Sequence, residues 1–353
     1  MSLTSRERIQ LALDHKEADR VAFQDAPWAT TVARWHEEGL PENVTPQEYF
    51  HFEIEAIRPD NSLRFPMRTI EETDEYIIVT NPQGAICKNW KTKTSTPHYL
   101  DFTIKDRKTW DEHKSRLNEL TGRINLEERL DWCRQKRAEG QFVVYSNGMG
   151  YDHTQGMVGS ERLLIAMAEE PDWARDMFES SGRIMIDLAE EMIGLGFEFD
   201  GAFLYDDMGY RNASLFSPAM YKELLFPTHK RVFDFFHSKG LKVILHSCGC
   251  VRELVPALIE AGLDCLQPLE VKAGMDLIEL KRQYGDRLSF MGGLDARKIS
   301  GDPAALEEEV KTKVTFAKQG GGYIFHSDHS VPDAVSFEQY KRFKDLGQKY
   351  GTY

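Results

Sequence analysis

The sequence predicts an α/β chain folded as a single (β/α)8 TIM barrel, residues 1–353, with a β-hairpin insertion at about residues 70–95. Three observations carry this expectation. From residue 140 onward, short apolar runs alternate with helical stretches, the pattern of parallel strands joined by right-handed crossovers. Nearly every apolar run ends in polar residues, as a ring of loops around one mouth requires. The length of 353 residues is one that α/β barrels reach as a single unit. An open doubly wound sheet is the alternative that the same alternation allows.

The elements follow in order. Thr4 to Asp14 begins with Ser/Thr caps and carries Ile9, Leu11, Ala12 and Leu13 on a helical period. Asp19 to Pro27 reads as a first strand with a polar tip, and residues 28–58 as helical. Glu75 to Trp90 is two β runs joined by Asn81-Pro-Gln-Gly84; proline presets one turn dihedral and glycine accepts a positive φ. Residues 106–139 are helical and charged. Then come strands at 141–147, 199–207, 241–248, 264–268, 288–295 and 321–329, separated by helices at 160–168, 172–195, 217–239, 251–261, 276–284, 303–319 and finally 337–349. This gives about seven barrel strands, with an eighth sought near residues 60–66.

Composition narrows the function classes. The chain carries 57 acidic against 44 basic residues, a net charge of −13, which disfavours nucleic acid and anionic membranes as partners. No apolar run reaches the length of a membrane span, and the first residues lack an apolar signal core. Five cysteines, an odd number in a long chain, do not make a disulfide framework. A reduced, cytoplasmic protein is expected, and a homo-oligomer is compatible with this composition.

The strand tips supply the candidate chemistry: Asp25, Asn147, Tyr205, Asp206, Asp207, His246, Cys248, Gln267, Asp295, His326, Asp328 and His329. His246 and Cys248 stand two apart on one strand and so point the same way. Imidazole and thiolate together suit Zn²⁺, which needs three or four protein ligands. The bland alternative is that Cys248 packs as a small apolar residue and His246 bonds a neighbour. A third ligand would come from His326-Ser-Asp-His329 across the mouth. Cys250 is set aside, because Gly249 turns the chain; Cys87, Cys133 and Cys265 read as packing residues. Asp206 and Asp207 are adjacent, so one faces the pocket and the other caps a loop, unless both form a solvated corner. No Gly-x-Gly-x-x-Gly or Walker motif is present, so nucleotide binding gains no support.

Several segments together also match a known family. They are Thr4-Ser-Arg-Glu-Arg with Ala12 to Val21, Tyr205-Asp-Asp-Met-Gly209 with Ser217-Pro-Ala-Met220, His246-Ser-Cys-Gly249, Gly285 to Asp295, and Gly320-Gly-Gly-Tyr-Ile324. Through them the chain resembles the uroporphyrinogen decarboxylase superfamily, most closely its methyltransferase-like branch. The resemblance implies a barrel with its site at the C-terminal mouth. Decarboxylases of the family carry an arginine-rich motif after the first strand; here that place reads Phe23-Gln-Asp-Ala-Pro-Trp-Ala29, without arginine. Corrinoid-dependent methyltransferases bind Zn²⁺ through a His-x-Cys pair, matched by His246 and Cys248, and a distant cysteine that this chain lacks. The resemblance transfers the third-ligand role to His329, with Asp328 and His326 as the other candidates.

The expected function is therefore a zinc-dependent methyltransferase working between a corrinoid protein and a small methoxy or methylamine compound. Zinc would sit on His246, Cys248 and His329. Asp206, Asp207 and Tyr205 are the expected catalytic residues, and Asn147, Gln267 and Asp295 the expected substrate-binding ones. The corrinoid would come from a partner, since no Asp-x-His-x-x-Gly signature is present. The rival expectations are a metal-free decarboxylase or lyase of the same family, and a non-enzymatic corrinoid- or tetrapyrrole-binding protein.

Overall fold

The computed structural model describes residues 3–91 and 97–353. In chain order the strands are β1 (Ala22–Phe23), β2 (Ile54–Ile57), β3 (Arg68–Glu72), β4 (Tyr76–Thr80), β5 (Ala85–Trp90), β6 (His98–Phe102), β7 (Phe142–Gly148), β8 (Gly201–Tyr205), β9 (Lys242–His246), β10 (Cys265–Gln267), β11 (Ser289–Met291) and β12 (Tyr323–Phe325). Eight of them form one parallel sheet in the order β1-β12-β11-β10-β9-β8-β7-β2. The two ends of that order meet: Glu53 N–H donates to Phe23 C=O at 2.9 Å, and Ile54 N–H donates to Gln24 Oε1 at 2.9 Å. The sheet therefore curls on itself with helices outside, the (β/α)8 architecture that the alternation predicts.

The seam between β1 and β2 is held by charge. The buried Glu53 carboxylate accepts from Phe23 N–H and pairs with Arg8 and Arg20. Arg8 also bonds Asp19, and this hydrogen bond holds the Asp19 carboxyl down at about 2. Asp19 and Arg20 thus each tie the seam through a different partner, Arg8 and Glu53.

Alternation along the strands sorts the core into two layers. Ala22, Ile54, Phe142, Val144, Phe203, Ile244, Cys265, Met291 and Ile324 fill the barrel interior. Ile9, Ala12 and Leu13 of the helix Ser5–Leu13 join them and close the barrel at its lower end. That helix starts on a capping box between Thr4 and Glu7. The other parity, including Val143, Tyr145, Ala202, Leu204, Val243, Leu245, Phe290 and Tyr323, packs against the helices.

The structure corrects two stretches of the N-terminal half. The eighth barrel strand is Ile54–Ile57, inside the segment read as helical, and not near residues 60–66. It is four residues long, with polar Glu55 in its middle, too short to show a period of two. The hairpin at Asn81-Pro-Gln-Gly84 is present, but β3 and β6 flank it, so the insertion is a four-stranded antiparallel sheet, β3-β4-β5-β6. The last residues of the expected insertion, 92–95, fall outside the described residues. Among the described residues no helix is long and apolar enough to cross a membrane.

Helix Gly150–Val158 was missed, because Gly150, Asp152, His153, Thr154 and Gly156 give it weak helical propensity. Tertiary bonds compensate. His153 is buried, with Nδ1 at 2.8 Å from Ser181 Oγ and Nε2 at 3.0 Å from the Asn61 carbonyl. Burial pushes its pKa from 6.5 down to about 4. Between those values the unfolded chain binds a proton that the folded chain refuses, so stability falls as pH drops through that window. The expected contribution is about 3 kcal/mol between pH 7 and pH 4. Denaturation midpoints of wild type and His153→Gln across this range check it: the variant should lose this part of the pH slope.

Candidate metal centre at the barrel mouth

The register of the sheet builds the site. Tyr205 pairs with His246 across β8 and β9, and His246 with Gln267 across β9 and β10. These three side chains share the inward parity of Phe203, Ile244 and Cys265, two residues earlier on each strand. Two residues further on, the same parity brings Asp207 and Cys248 to the mouth.

The loops beyond β8 and β9 then lock together. Cys250 N–H donates to Tyr210 C=O at 2.7 Å, and Met208 N–H to Ser247 Oγ at 3.1 Å. Gly209 and Gly249 allow this contact: a Cβ on Gly209 would lie 2.3 Å from the Cys248 carbonyl oxygen, and Gly249 has φ +74°. Any larger residue would push the two loops apart.

Within this frame, His246 Nε2 lies 3.2 Å from Cys248 Sγ and 3.4 Å from Asp207 Oδ1. Cys248 N–H donates to the same Asp207 oxygen at 2.8 Å. One ligand atom of each residue lies within 4.8 Å of the other two. Tetrahedral zinc, with bonds of about 2.0–2.3 Å, sets its ligand atoms roughly 3.3–3.8 Å apart, so the spacing fits.

The imidazole is presented in one tautomer by a relay of hydrogen bonds. His326 Nδ1–H donates to the Ser327 carbonyl, which leaves its Nε2 to accept from Gln267 Nε2 at 3.3 Å. The amide so oriented turns Gln267 Oε1 toward His246 Nδ1–H. His246 Nε2 is then the nitrogen with a lone pair, and it faces Cys248 and Asp207. Burial lowers the His246 pKa, which favours this neutral form. Burial, then the Asp207 and Glu270 carboxylates, push the Cys248 thiol far up. A dication on these atoms would relieve that repulsion, since a thiol that coordinates a metal is held as thiolate.

The other expected site residues fall around this centre. Tyr205 stands beside His246 with ring centroids 4.9 Å apart, and its hydroxyl accepts from Arg58 Nη2 at 2.8 Å. Asp206 points the other way, into the helix layer, where it accepts from Asp152 N–H and from His229 Nε2, each at 2.7 Å. Asn147 bonds backbone, its Nδ2 donating to Pro59 C=O at 2.9 Å. Asp295 caps Ala296–Ile299 and pairs with Arg297. Asp328 accepts from Val271 and Ala296 N–H groups, and Asp25 accepts from Ser327 and Tyr340 hydroxyls. His329 is half-buried with its ring edge-on to Trp28, 5.9 Å between centroids. It is not among the grouped ligand atoms; Asp207 is the group brought to His246 and Cys248.

Two residues escaped the sequence reading. Arg58 leaves β2, the strand hidden in a helical-looking stretch. Asp152 lies on the helix of weak propensity. Burial, then the Asp207 carboxylate, lift its carboxyl to about 7. Asp152, Asp207, Gly148 and Asn61 line the inner end of a cleft of about 1120 Å³ that runs along helix Gly150–Val158 to β6.

Comparison with known proteins agrees with this architecture. A methyltransferase from Methanosarcina mazei superposes with a TM-score of 0.68 over 99% of both chains at 15% identity, which shows a shared fold. Among curated proteins, uroporphyrinogen decarboxylase of Pectobacterium carotovorum is 29% identical over 79 residues, and that of Yersinia pestis 30% identical over 60 residues. These alignments span only 22% and 17% of the two relatives' lengths. The family model for uroporphyrinogen decarboxylase (URO-D) matches residues 153–350, more than half of the chain and including His246 and Cys248. The chain belongs to the uroporphyrinogen decarboxylase family.

Proposed function

We propose that this protein is a zinc-dependent methyltransferase that moves a methyl group between a corrinoid protein and a small methoxy or methylamine compound. The observation that carries the reading is the grouping of Asp207, His246 and Cys248 at the barrel mouth, with His246 Nε2 left bare by Gln267. The shared fold with a protein named as a methyltransferase is in keeping with it. The arginine-free stretch Phe23–Ala29 speaks against a tetrapyrrole bearing many carboxylates.

His246, Cys248 and Asp207 would hold the metal, with His329 as the alternative third ligand. A Lewis acid there lowers the pKa of an acceptor or improves the leaving group of a donor. The chain's own side chains supply the rest. Burial raises the Asp152 carboxyl pKa, and the residue faces the same cleft as Asp207. It is placed to protonate a leaving oxygen or nitrogen. Tyr205 packs on the His246 ring and limits its rotation. The corrinoid partner would present its cobalt at the C-terminal mouth of the barrel.

The test joins metal analysis to methyl transfer from free methylcobalamin to a panel of acceptors. Near one zinc per chain, with transfer that a chelator abolishes, is the expected result. Less than about half a zinc per chain, with transfer unaffected by chelator, would sink the reading. A lyase releasing CO₂ from the same panel would point to the metal-free alternative. A second expectation concerns the relay. Gln267→Leu should weaken zinc binding about 10- to 100-fold, because the His246 ring loses the partner that fixes its tautomer. Competition with a chromogenic chelator measures this.

A further inference from the structure

We propose that Arg58 is the anchor for a carboxylate on the substrate, which makes the methylated compound a small organic acid. What happens to the bound acid rests on the methyl-transfer reading; its binding does not.

Arg58 continues the inward parity of Ile54 at the top of β2, so its side chain enters the mouth. The segment is pinned there. Asn147 Nδ2 holds the Pro59 carbonyl at 2.9 Å, and Asn61 Nδ2 donates to Gly148 C=O at 2.9 Å. The guanidinium is itself oriented: Nε donates to Ser146 Oγ at 3.2 Å, Nη2 to Tyr205 Oη at 2.8 Å, and Cζ lies 5.0 Å from the Tyr205 ring centroid. Both acceptors are neutral. Among the described residues none forms an ion pair with Arg58, although the chain carries 57 acidic side chains. A guanidinium has five N–H donors and two are used here, so the remaining fork is free for a bidentate carboxylate.

A mobile surface arginine would be solvated and carry no such meaning. This one is held by two side chains of the barrel wall yet remains exposed and unneutralised. That is the state of a preorganised anion site. Its distance from the metal centre limits the ligand. The Tyr205 ring has Arg58 Cζ at 5.0 Å and the His246 ring at 4.9 Å, so guanidinium and imidazole are at most about 10 Å apart. A compact acid spans that gap with its carboxylate on Arg58 and its methyl-bearing atom near His246.

The experiment uses zinc-loaded, full-length protein. Calorimetry follows binding of 4-methoxybenzoate against 4-methoxybenzamide, and of N,N-dimethylglycine against its amide. In at least one pair the acid should bind about 10- to 100-fold tighter. Arg58→Met should remove that preference, and Arg58→Lys should keep part of it. Zinc content and melting temperature of each variant report the fold. Equal binding of acid and amide in both pairs, binding by neither acid, or a preference that survives Arg58→Met overturns the proposal. Acid preference without zinc-dependent methyl transfer would overturn the methyl-transfer reading and leave the anchor standing.

Discussion

His246→Ala is expected to reduce bound zinc to about a tenth of the wild-type content or less and to slow methyl transfer about 1000-fold. The physical reason is the ligand count. Without the imidazole, one thiol and one carboxylate remain, and Asp207 Oδ1 is already engaged by Cys248 N–H at 2.8 Å. Two ligands do not make a catalytic zinc site. Lewis-acid stabilisation of several kcal/mol is lost with the metal, and about 4 kcal/mol corresponds to a 1000-fold change in rate. Cys250→Ser is the control. Cys250 is buried and its backbone bridges to Tyr210, outside the grouped ligand atoms, so its zinc content should match wild type. His329→Ala decides between the two candidate third ligands: retained zinc assigns that place to Asp207, and lost zinc assigns it to His329. Metal analysis and single-turnover transfer read all three variants. Full zinc and full activity in His246→Ala would remove the basis of the proposed function.

Asp206→Ala is expected to destabilise the fold by about 3–5 kcal/mol. Asp206 is completely buried, and its carboxylate accepts from Asp152 N–H and from His229 Nε2. His229 in turn has Nδ1 at 2.9 Å from the Tyr221 hydroxyl. The carboxylate lies against Gly150, where a Cβ would come within 2.2 Å of Oδ2. Removing it strands a buried imidazole and the N–H groups at the start of helix Gly150–Val158. Urea denaturation should show a lower midpoint with an unchanged slope. Asp206→Asn, which keeps an acceptor, should cost less. A midpoint unaltered in Asp206→Ala would mean that Asp206 does not support this helix. Compared in metal-free protein, Asp207→Ala should change the midpoint much less than Asp206→Ala.

Much of the fold was legible because it is written in local signals. Apolar runs such as Val243-Ile-Leu245 carry their own strand pattern, and Gly240 and Gly262 end the helices before β9 and β10. The N-terminal half was less legible. Ile54–Ile57 has too few residues for a period to emerge, and it follows helical-looking sequence directly. Helix Gly150–Val158 stands against its own propensities, through the bonds of Asp206, His153 and Ser181. Those bonds join residues far apart in sequence, and no window of the chain displays them.

By itself the sequence determined the strand tips, and therefore that His246 and Cys248, at and just beyond the end of β9, point the same way, because alternation along an extended segment is a local property. For the adjacent Asp206 and Asp207 it left two arrangements open, one facing the mouth with the other capping a loop, or a solvated corner. Only the tertiary structure decided between them. The register of β8 against β9 sets Tyr205 beside His246, so the next inward position, Asp207, meets Cys248, while Asp206 turns out toward His229. The same closure of the barrel brought Arg58 from β2 to Tyr205 of β8, and His326 from β12 to Gln267 of β10. Register and closure depend on how eight strands fit around one interior, and that fit is a property of the assembled sheet, not of any single strand.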